Sequence, residues 1–414
     1  MTLHGEVLQG LRWSRRTRTV SCLFVAVVLV CALWVPAARA ADPQQMYKDG
    51  IEALYNLDFI EAESTFDELT RSYPENPDYW TGLASVAWLK ILQEQQKLNM
   101  ESFSGKGTFG TSDSKEELSA MKEASLRDNI DRAIKAADAR LKKNPNDIQA
   151  LYSKGAANAT LASFEGTIKR SYLTAARKAK AARDLHRDVL KLDPDFHDAE
   201  MTIGIYNYVV ASAPRWARFT ILFALGISGD GKDEGIRQLE SAVRNGKRVV
   251  TDAKSLLVVV YTREKRYEEA LKLDSDLHNA YPRNFMYELS MASIQGKMNQ
   301  WDVATETYQK ILRKIRSETD GYEKLRAEKV LMDLGNSQIQ SGHAGESLEP
   351  FGLVVVSPDA TPNEKASAHI WMGKVYDSSN RRPLALEHYQ AVRNLDCDKR
   401  LKDEARKFER KPFK

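Results

Sequence analysis

Two short stretches carry residues whose types and spacing suggest phosphate chemistry. Residues 105–110 spell Gly-Lys-Gly-Thr-Phe-Gly, and the backbone amides of a Gly-x-Gly-x-x-Gly loop cradle phosphate when the loop joins a strand to a helix. Residues 186–188 spell His-Arg-Asp, a triplet whose aspartate acts as the base in phosphoryl transfer. Together, these stretches would point to an enzyme that transfers a phosphoryl group.

The sequence around these stretches argues against that chemistry. Both are flanked by segments with helical periodicity, whereas the glycine loop of a kinase needs a preceding strand. The metal-binding asparagine expected five residues after the aspartate is Asp193 instead, and no Asp-Phe-Gly triplet follows. His186 also falls on the packing face of a predicted helix, so we interpret it as a core residue.

The remaining chemistry-bearing side chains form no recognisable site. The other histidines after residue 40 are not spaced like the ligands of a His-Glu-x-x-His zinc site; they are His197, His278, His343, His369 and His388. No Gly-x-Ser-x-Gly pattern occurs, and Cys397 has no motif around it. We therefore expect no catalytic residue, no cofactor and no metal site.

The first 40 residues have the pattern of a secretory signal peptide. Four arginines between residues 12 and 18 precede an apolar run from 20 to 35, and residues 38–40 spell Ala-Arg-Ala. This order predicts cleavage between Ala40 and Ala41. The alternative is an uncleaved anchor, although the apolar run is short for a bilayer span. We expect an exported bacterial protein that is periplasmic or associated with the outer membrane.

Removing residues 1–40 changes what the composition implies. The full chain has 61 basic and 57 acidic residues. The first 40 residues hold five Arg and one Glu, so 56 of each charge remain. A net charge of zero gives no support to nucleic-acid binding, and we expect none. Cys397 is the only cysteine left, so packing and not an intramolecular disulfide bond must hold the fold.

A repeat of 34 residues organises the chain between Thr251 and Lys314. Residues 34 positions apart have matching character: Leu257 and Met291, Tyr267 and Trp301, Ala270 and Ala304, Leu277 and Ile311. Within each copy, apolar residues recur at three- and four-residue steps in two blocks, which predicts a helix, a turn and an antiparallel helix. A fixed period of this length indicates a solenoid, in which each unit buries its apolar face against the next.

These features resemble the tetratricopeptide repeat (TPR). The likeness rests on the 34-residue spacing, on small residues such as Ala270 at the tight helix crossing, and on Pro282 after the second helix. The resemblance implies an all-α, right-handed helical solenoid of a kind that binds other proteins. A composition rich in helix formers, without a convincing alternating strand, agrees with this fold class.

Extending the register predicts about eight helix-turn-helix repeats and a polar capping helix from Lys399 to Arg410. We divide the chain into a signal peptide at 1–40, repeats with insertions at 41–250, and regular repeats with the cap at 251–414. The insertions fall between the first (A) and second (B) helices of repeats two, three and four. Equivalent positions should lie along one edge of a solenoid, although insertions are also tolerated without a function where the backbone is exposed.

The insertion of repeat four has an unusual composition. Arg215, Trp216 and Arg218 precede an apolar run that includes Phe219 and Phe223. Trp and Arg beside such a run suit a membrane interface, so this segment is a candidate contact with lipid or with a partner. The alternative is a hairpin folded back over the edge of the solenoid, because the run is too short to span a bilayer.

Partner recognition is expected on the A helices. Positions that hold basic residues and Asn in a carboxylate-clamping TPR hold Ser255 and Leu256 in repeat five, so that clamp is absent. The exposed family positions that we predict to line a partner-binding groove are Val259, Thr262, Arg263, Leu289, Ser293 and Lys297. The leading hypothesis is a non-enzymatic scaffold or adaptor for a protein partner of unknown identity. The alternatives are a peripheral membrane module and a helical substrate-binding protein or enzyme that uses the edge loops.

Overall fold

The computed structural model describes residues 42–98, 100, 118–213 and 230–414. The described residues from Tyr47 onward belong to one compact unit, and residues 42–46 belong to another. This part of the chain contains 17 α-helices and no β-strand. The helices are α1 (Pro43–Tyr55), α2 (Phe59–Ser72), α3 (Pro77–Glu94), α4 (Ala120–Lys143), α5 (Ile148–Thr167), α6 (Tyr172–Leu192), α7 (Asp198–Ser212), α8 (Lys232–Asn245), α9 (Val250–Arg263), α10 (Tyr267–Ala280), α11 (Phe285–Lys297), α12 (Trp301–Arg316), α13 (Ala327–Gln340), α14 (Leu348–Val356), α15 (Pro362–Ser378), α16 (Arg382–Arg393) and α17 (Lys399–Arg410).

Successive helices pair into A/B hairpins, eight of them in the described residues, and α17 follows the last one. Neighbouring hairpins pack against each other, and the apolar clusters join helices from successive repeats. Helix α17 buries Leu401, Ala405 and Phe408 against repeat eight and turns its charged side chains outward. This arrangement confirms the prediction of an all-α TPR-type solenoid with a polar capping helix.

In several hairpins, a ring from helix B packs on a small residue of helix A. In repeat eight, Gly373 lies against Tyr389, and in repeat seven Gly335 lies against Phe351; both rings are fully buried. A Cβ atom at Gly373 would lie 2.4 Å from the ring of Tyr389, so glycine permits this close crossing. We name this place in helix B the ring position. It holds Phe66, His186, Asp274, Tyr308, Phe351 and Tyr389 in repeats one, three, five, six, seven and eight.

We expect Gly373→Ala to destabilise the protein by about 1–3 kcal/mol, the usual cost of overpacking a filled core. The added methyl group would press on the ring of Tyr389, whose hydroxyl is held by a 3.0 Å hydrogen bond to Asp377. Gly352→Ala is the matched control, because Gly352 lies inside α14 with no atom within 4 Å of an added Cβ. Alanine has a higher helix propensity than glycine, so Gly352→Ala should raise the free energy of unfolding by roughly 0.5–1 kcal/mol. Urea denaturation measures the free energy of unfolding of both variants. A change of the same sign in the two would contradict the packing argument.

The extra residues of repeat three lengthen its helices and do not form a loop. Helix α5 has 20 residues and α6 has 21, and only residues 168–171 separate them. Phe164 is fully buried, so the apolar spacing continues the helix beyond the usual repeat length. At this edge, Arg127 of α4 pairs with Glu165 at 2.7 Å and lies 5.1 Å from the ring centre of Phe164. The corresponding edges of repeats two and three are therefore in contact.

Candidate partner-binding surface

The predicted groove residues lie on the A helices of repeats five and six. Val259 and Ser293 are 34 residues apart, as are Arg263 and Lys297, so α9 and α11 carry them at equivalent positions. Steps of three and four residues place the members of each set on one face of their helix. The repeat register therefore brings both sets toward a common surface.

Five of the six predicted residues line one cleft, which we name the α9–α11 cleft. Two of the five, Thr262 and Leu289, are buried and not exposed as predicted. Its lining consists of Val258, Val259 and Thr262 from α9, Met286, Leu289, Ser290, Ser293, Ile294 and Lys297 from α11, Lys329 and Asp333 from α13, and Met100 and Tyr308. The enclosed volume is about 20 Å³, which holds about one water molecule. Sites for drug-sized ligands measure roughly 300–1,000 Å³. The cleft, as the described residues line it, is therefore too small to enclose a drug-sized ligand.

The charged side chains of the cleft make local polar contacts. The ammonium group of Lys297 donates to the hydroxyl of Ser293 at 2.5 Å, and Lys329 donates to the carboxylate of Asp333 at 3.0 Å. Two lysines and one aspartate leave the lining with one net positive charge. Apolar side chains from α9 and α11 lie between these polar groups. The lining can therefore contact a chain that presents both apolar and acidic groups.

Arg263 lies apart from the other five predicted residues. Its guanidinium group is 5.8 Å from the ring centre of Tyr208 on α7. The hydroxyl of Tyr208 donates to Glu264 at 2.8 Å, and Lys232 donates to the same carboxylate at 2.5 Å. Burial and the neighbouring carboxylate raise the pKa of Tyr208 to about 12, so its hydroxyl stays protonated as a donor. Arg263 belongs to this contact between repeats four and five and does not line the cleft.

Repeat one covers the other end of the A-helix surface, which sequence reasoning missed. The hydroxyl of Tyr55 donates to Asp252 at 2.7 Å, and the side-chain amide of Asn284 donates to the carbonyl of Tyr55 at 2.8 Å. The ring of Tyr55 packs on Tyr281 with 5.2 Å between the ring centres. Asp252 lies in the first turn of α9, and Asn284 is the N-cap of α11. Repeat one therefore contacts the N-terminal ends of the two helices whose later turns line the cleft.

Arg248, just before α9, is the centre of a second contact of this kind. Its guanidinium group donates to the hydroxyl of Tyr47 at 3.1 Å and to Asp78 at 3.0 Å. It also lies 5.4 Å from the ring centre of Tyr47 and 5.3 Å from that of Tyr152. The two hydrogen-bonded pairs are 201 and 170 residues apart in the chain. Local periodicity carries no signal for contacts at such separations, and Tyr, Arg and Asp are common on helix surfaces.

Several residues singled out from the sequence lie outside the described part of the chain. They are Arg215, Trp216, Arg218, Phe219 and Phe223 of the insertion, Ala40 of the predicted cleavage site with Ala41 after it, and the glycine pattern at 105–110. Among the described residues, no helix is long and apolar enough to cross a membrane. The same residues include no group of three His, Cys, Asp or Glu side chains that could hold a metal ion. His186 is buried in the core of repeat three, which confirms its interpretation as a packing residue.

Comparison with known protein families matches one stretch of the chain. Residues 47–90 match the sequence profile of the tetratricopeptide repeat. No curated protein matches the chain significantly. Similar solved structures include a thermophilic TPR protein of Thermus thermophilus, 14% identical over 61% of this chain and 98% of that one, with a TM-score of 0.34. Yeast Tom70 is 13% identical over 90% of this chain and 89% of that one, with a TM-score of 0.38. Human IFIT1, solved as a dimer with PPP-AAAA, is 13% identical over 91% of this chain and 88% of that one, with a TM-score of 0.40.

Proposed function

We propose that this chain, whose residues 47–90 match the tetratricopeptide-repeat profile, is a non-enzymatic scaffold that binds another protein along the α9–α11 cleft. The observation that carries the proposal is that five positions predicted from the repeat register line a single surface. Helical solenoids generally use such continuous rows of A-helix side chains to contact protein partners.

A polypeptide segment fits this surface better than a small molecule does. Val259 is half-buried and offers apolar contact, while Ser293 and Lys297 place a hydroxyl and an ammonium group in the same lining. An extended or helical segment can contact such a row without a deep pocket.

The proposal includes export to the bacterial cell envelope, with the protein in the periplasm or at the outer membrane. Its support is the order of basic, apolar and small-residue regions in residues 1–40. The intact mass of protein recovered from the envelope fraction tests this part. A chain that begins at Ala41 is expected, and a chain that keeps residues 1–40 or stays in the cytoplasm would contradict it.

Site-specific photocrosslinking in cells tests the binding surface. A photoreactive phenylalanine analogue at Val259 should yield one defined protein adduct in the envelope fraction. The matched control carries the analogue at Ile60 of α2, which is 83% exposed and should not yield that adduct. Val259→Glu should lower recovery of the same partner by at least about tenfold, equivalent to 1.4 kcal/mol, without a change in the unfolding midpoint. Equal adducts from both positions, or none from Val259, would count against the cleft.

A second candidate function is peripheral membrane contact through the insertion of repeat four. The observation that favours it is the sequence itself, in which Arg215, Trp216 and Arg218 adjoin the apolar run with Phe219 and Phe223. Flotation with liposomes compares the wild-type chain with the Trp216→Asp, Phe223→Asp double variant. Membrane contact predicts that only the wild-type chain floats, and equal behaviour of the two would remove this candidate.

A further inference from the structure

A second groove lies between α12 and α14, with α13 as its floor. We name it the α12–α14 groove. Its volume is about 290 Å³, close to the lower end of the roughly 300–1,000 Å³ range of ligand sites. It shares no lining residue with the α9–α11 cleft, because it lies among the B helices of repeats six and seven. It is therefore a separate surface, and its occupant does not depend on the function proposed above.

The groove exists because α14 starts late and is short. Helix α14 has nine residues, whereas the B helices of repeats five and six have 14 and 16. Pro350 has no amide hydrogen, and its ring would clash with the carbonyl four residues earlier if the helix began sooner. Pro350 consequently lies in the first turn of α14, where proline is tolerated. The missing turns leave the space beside α12 open.

The floor and one wall of the groove are apolar. Leu312, Leu331 and Leu334 line it with exposures of 5–7%. Leu353 on the α14 side is 38% exposed, and Val356, one turn further along the same helix, is 74% exposed. Because burying exposed apolar area is favourable, Leu353 and Val356 would be stabilised by contact with an apolar surface.

A buried polar atom also lies in the lining of the groove. Gln338 of α13 is 5% exposed, and its side-chain Oε1 has no hydrogen-bond partner among the described residues. A buried acceptor without a donor is costly. An occupant that brings a hydrogen-bond donor to this end of the groove would remove that cost.

The two walls of the groove differ in charge. Arg313 and Arg316 line the α12 wall; both are exposed, and neither forms an ion pair with a described residue. Glu349 on the α14 wall is the only acidic side chain in the lining. Acidic groups would therefore be attracted along the α12 wall and repelled along the α14 wall.

We propose that the α12–α14 groove binds an amphipathic helix of a partner protein, with its apolar face on Leu353 and the leucines of the floor and its acidic edge along Arg313 and Arg316. A helix suits the groove because two helices form the walls and a third forms the floor, so an inserted helix packs as another layer of the bundle. Apolar anchors at positions i, i+3, i+4 and i+7 would follow the floor. The partner helix carries Glu or Asp on one edge, which distinguishes it from an apolar helix without charge preference.

The test uses two synthetic helical peptides that differ in one edge. Both carry leucines at i, i+3, i+4 and i+7 and a fluorescein label; one has glutamates along the edge, and the other has lysines there. Fluorescence anisotropy at low ionic strength with the full chain should show that the glutamate peptide binds at least about tenfold more tightly. The Arg313→Glu, Arg316→Glu variant should reverse this preference, and Leu353→Asp should weaken binding of both peptides.

Matched controls keep the result specific to the groove. Arg400→Glu on α17 and Ile60→Asp on α2 change exposed side chains elsewhere and should leave both affinities unchanged. Because all five substitutions are at exposed positions, thermal unfolding of the four variants should be unchanged. Equal binding of the two peptides, no binding by either, or an unchanged preference in the arginine variant would overturn the proposal. So would a wild-type dimer in light scattering that Leu353→Asp converts to a monomer, because a second copy would then cover the groove.

Discussion

Replacing His186 by phenylalanine is expected to make the protein more resistant to acid while changing its stability little at pH 7. His186 holds the ring position of repeat three, is 1% exposed, and stacks on Tyr152 with 4.8 Å between ring centres. Phenylalanine keeps this shape, as Phe66 and Phe351 show at the same position. It loses the hydrogen bond that Nε2–H donates to the carbonyl of Tyr152 at 3.0 Å, a contribution of about 1 kcal/mol.

The acid effect follows from the pKa of His186. Burial lowers this pKa from 6.5 to about 4, because the protonated ring would lose its hydration in the core. Below pH 6.5, the unfolded chain takes up a proton that the folded chain does not, so the free energy of unfolding falls as the pH falls. The loss is about 2 kcal/mol by pH 5 and about 3 kcal/mol near pH 4. The phenylalanine variant lacks this group, so its advantage over wild type should grow by these amounts.

Urea denaturation of wild type and His186→Phe at pH 7, 6 and 5 measures the effect. Other acid-sensitive groups, such as Glu288 with its ion pairs to Lys310 and Lys314, are common to both proteins and cancel in the difference. His343→Phe is the control, because the His343 side chain is 56% exposed. A difference between His186→Phe and wild type that stays constant from pH 7 to 5 would show that His186 is not buried as a neutral ring.

Replacing Asp274 by asparagine is expected to have the opposite pH dependence. Asp274 holds the ring position of repeat five, 34 residues before Tyr308 in repeat six. Its side chain is fully buried, and neither carboxyl oxygen has a hydrogen-bond partner at normal geometry among the described residues. Burial raises the pKa of Asp274 well above 3.8, and the nearby hydroxyl of Ser290 opposes this without reversing it.

The sign follows from which state keeps the proton. Above about pH 4, the unfolded chain releases the proton of Asp274, while the folded chain retains it up to its raised pKa. The free energy of unfolding therefore falls as the pH rises through this window. Asparagine cannot ionise, so the free energy of unfolding of the variant relative to wild type should increase steadily from pH 4 to pH 8.

Thermal and urea unfolding of Asp274→Asn at pH 4.5, 6 and 8 checks this expectation. Asp276→Asn on the same helix is the matched control. The side chain of Asp276 is 51% exposed and lies 3.9 Å from the ammonium group of Lys254, so the same change should show no such gain. A variant that loses stability relative to wild type as the pH rises would contradict the assignment of Asp274 as a buried neutral acid.

Much of the fold was predictable because each repeat packs on its neighbours. The match of Leu257 with Met291 and of Ala270 with Ala304 predicted two helical hairpins, and α9 to α12 form them. The capping helix was predicted from Lys399 to Arg410 and begins and ends at those residues. Repeat three was harder, because its extra residues continue α5 and α6 and a spacing argument does not separate longer helices from a loop. Export and the insertion of repeat four stay predictions from the sequence.

The candidate surface was predictable only in part. Val259, Leu289 and Ser293 line the cleft as expected because the 34-residue register sets which side of a helix a residue faces. Arg263, on the same helix, packs instead over Tyr208 of the preceding repeat. The direction of a long side chain depends on the neighbouring repeat, so the spacing of residues along its own helix does not predict that direction.

The sequence by itself determined the helices, their order and the residues that each repeat buries, because these depend on contacts within one repeat and with the next. Only the tertiary structure decided which parts of the surface are covered. The bond from Tyr55 to Asp252 joins residues 197 positions apart, and the α12–α14 groove brings together side chains from three helices. Such contacts depend on how the small rotations of the intervening repeats add up. The periodicity of the sequence does not predict this accumulated rotation. Which parts of the A-helix surface are open and which are covered therefore follows from the packing alone.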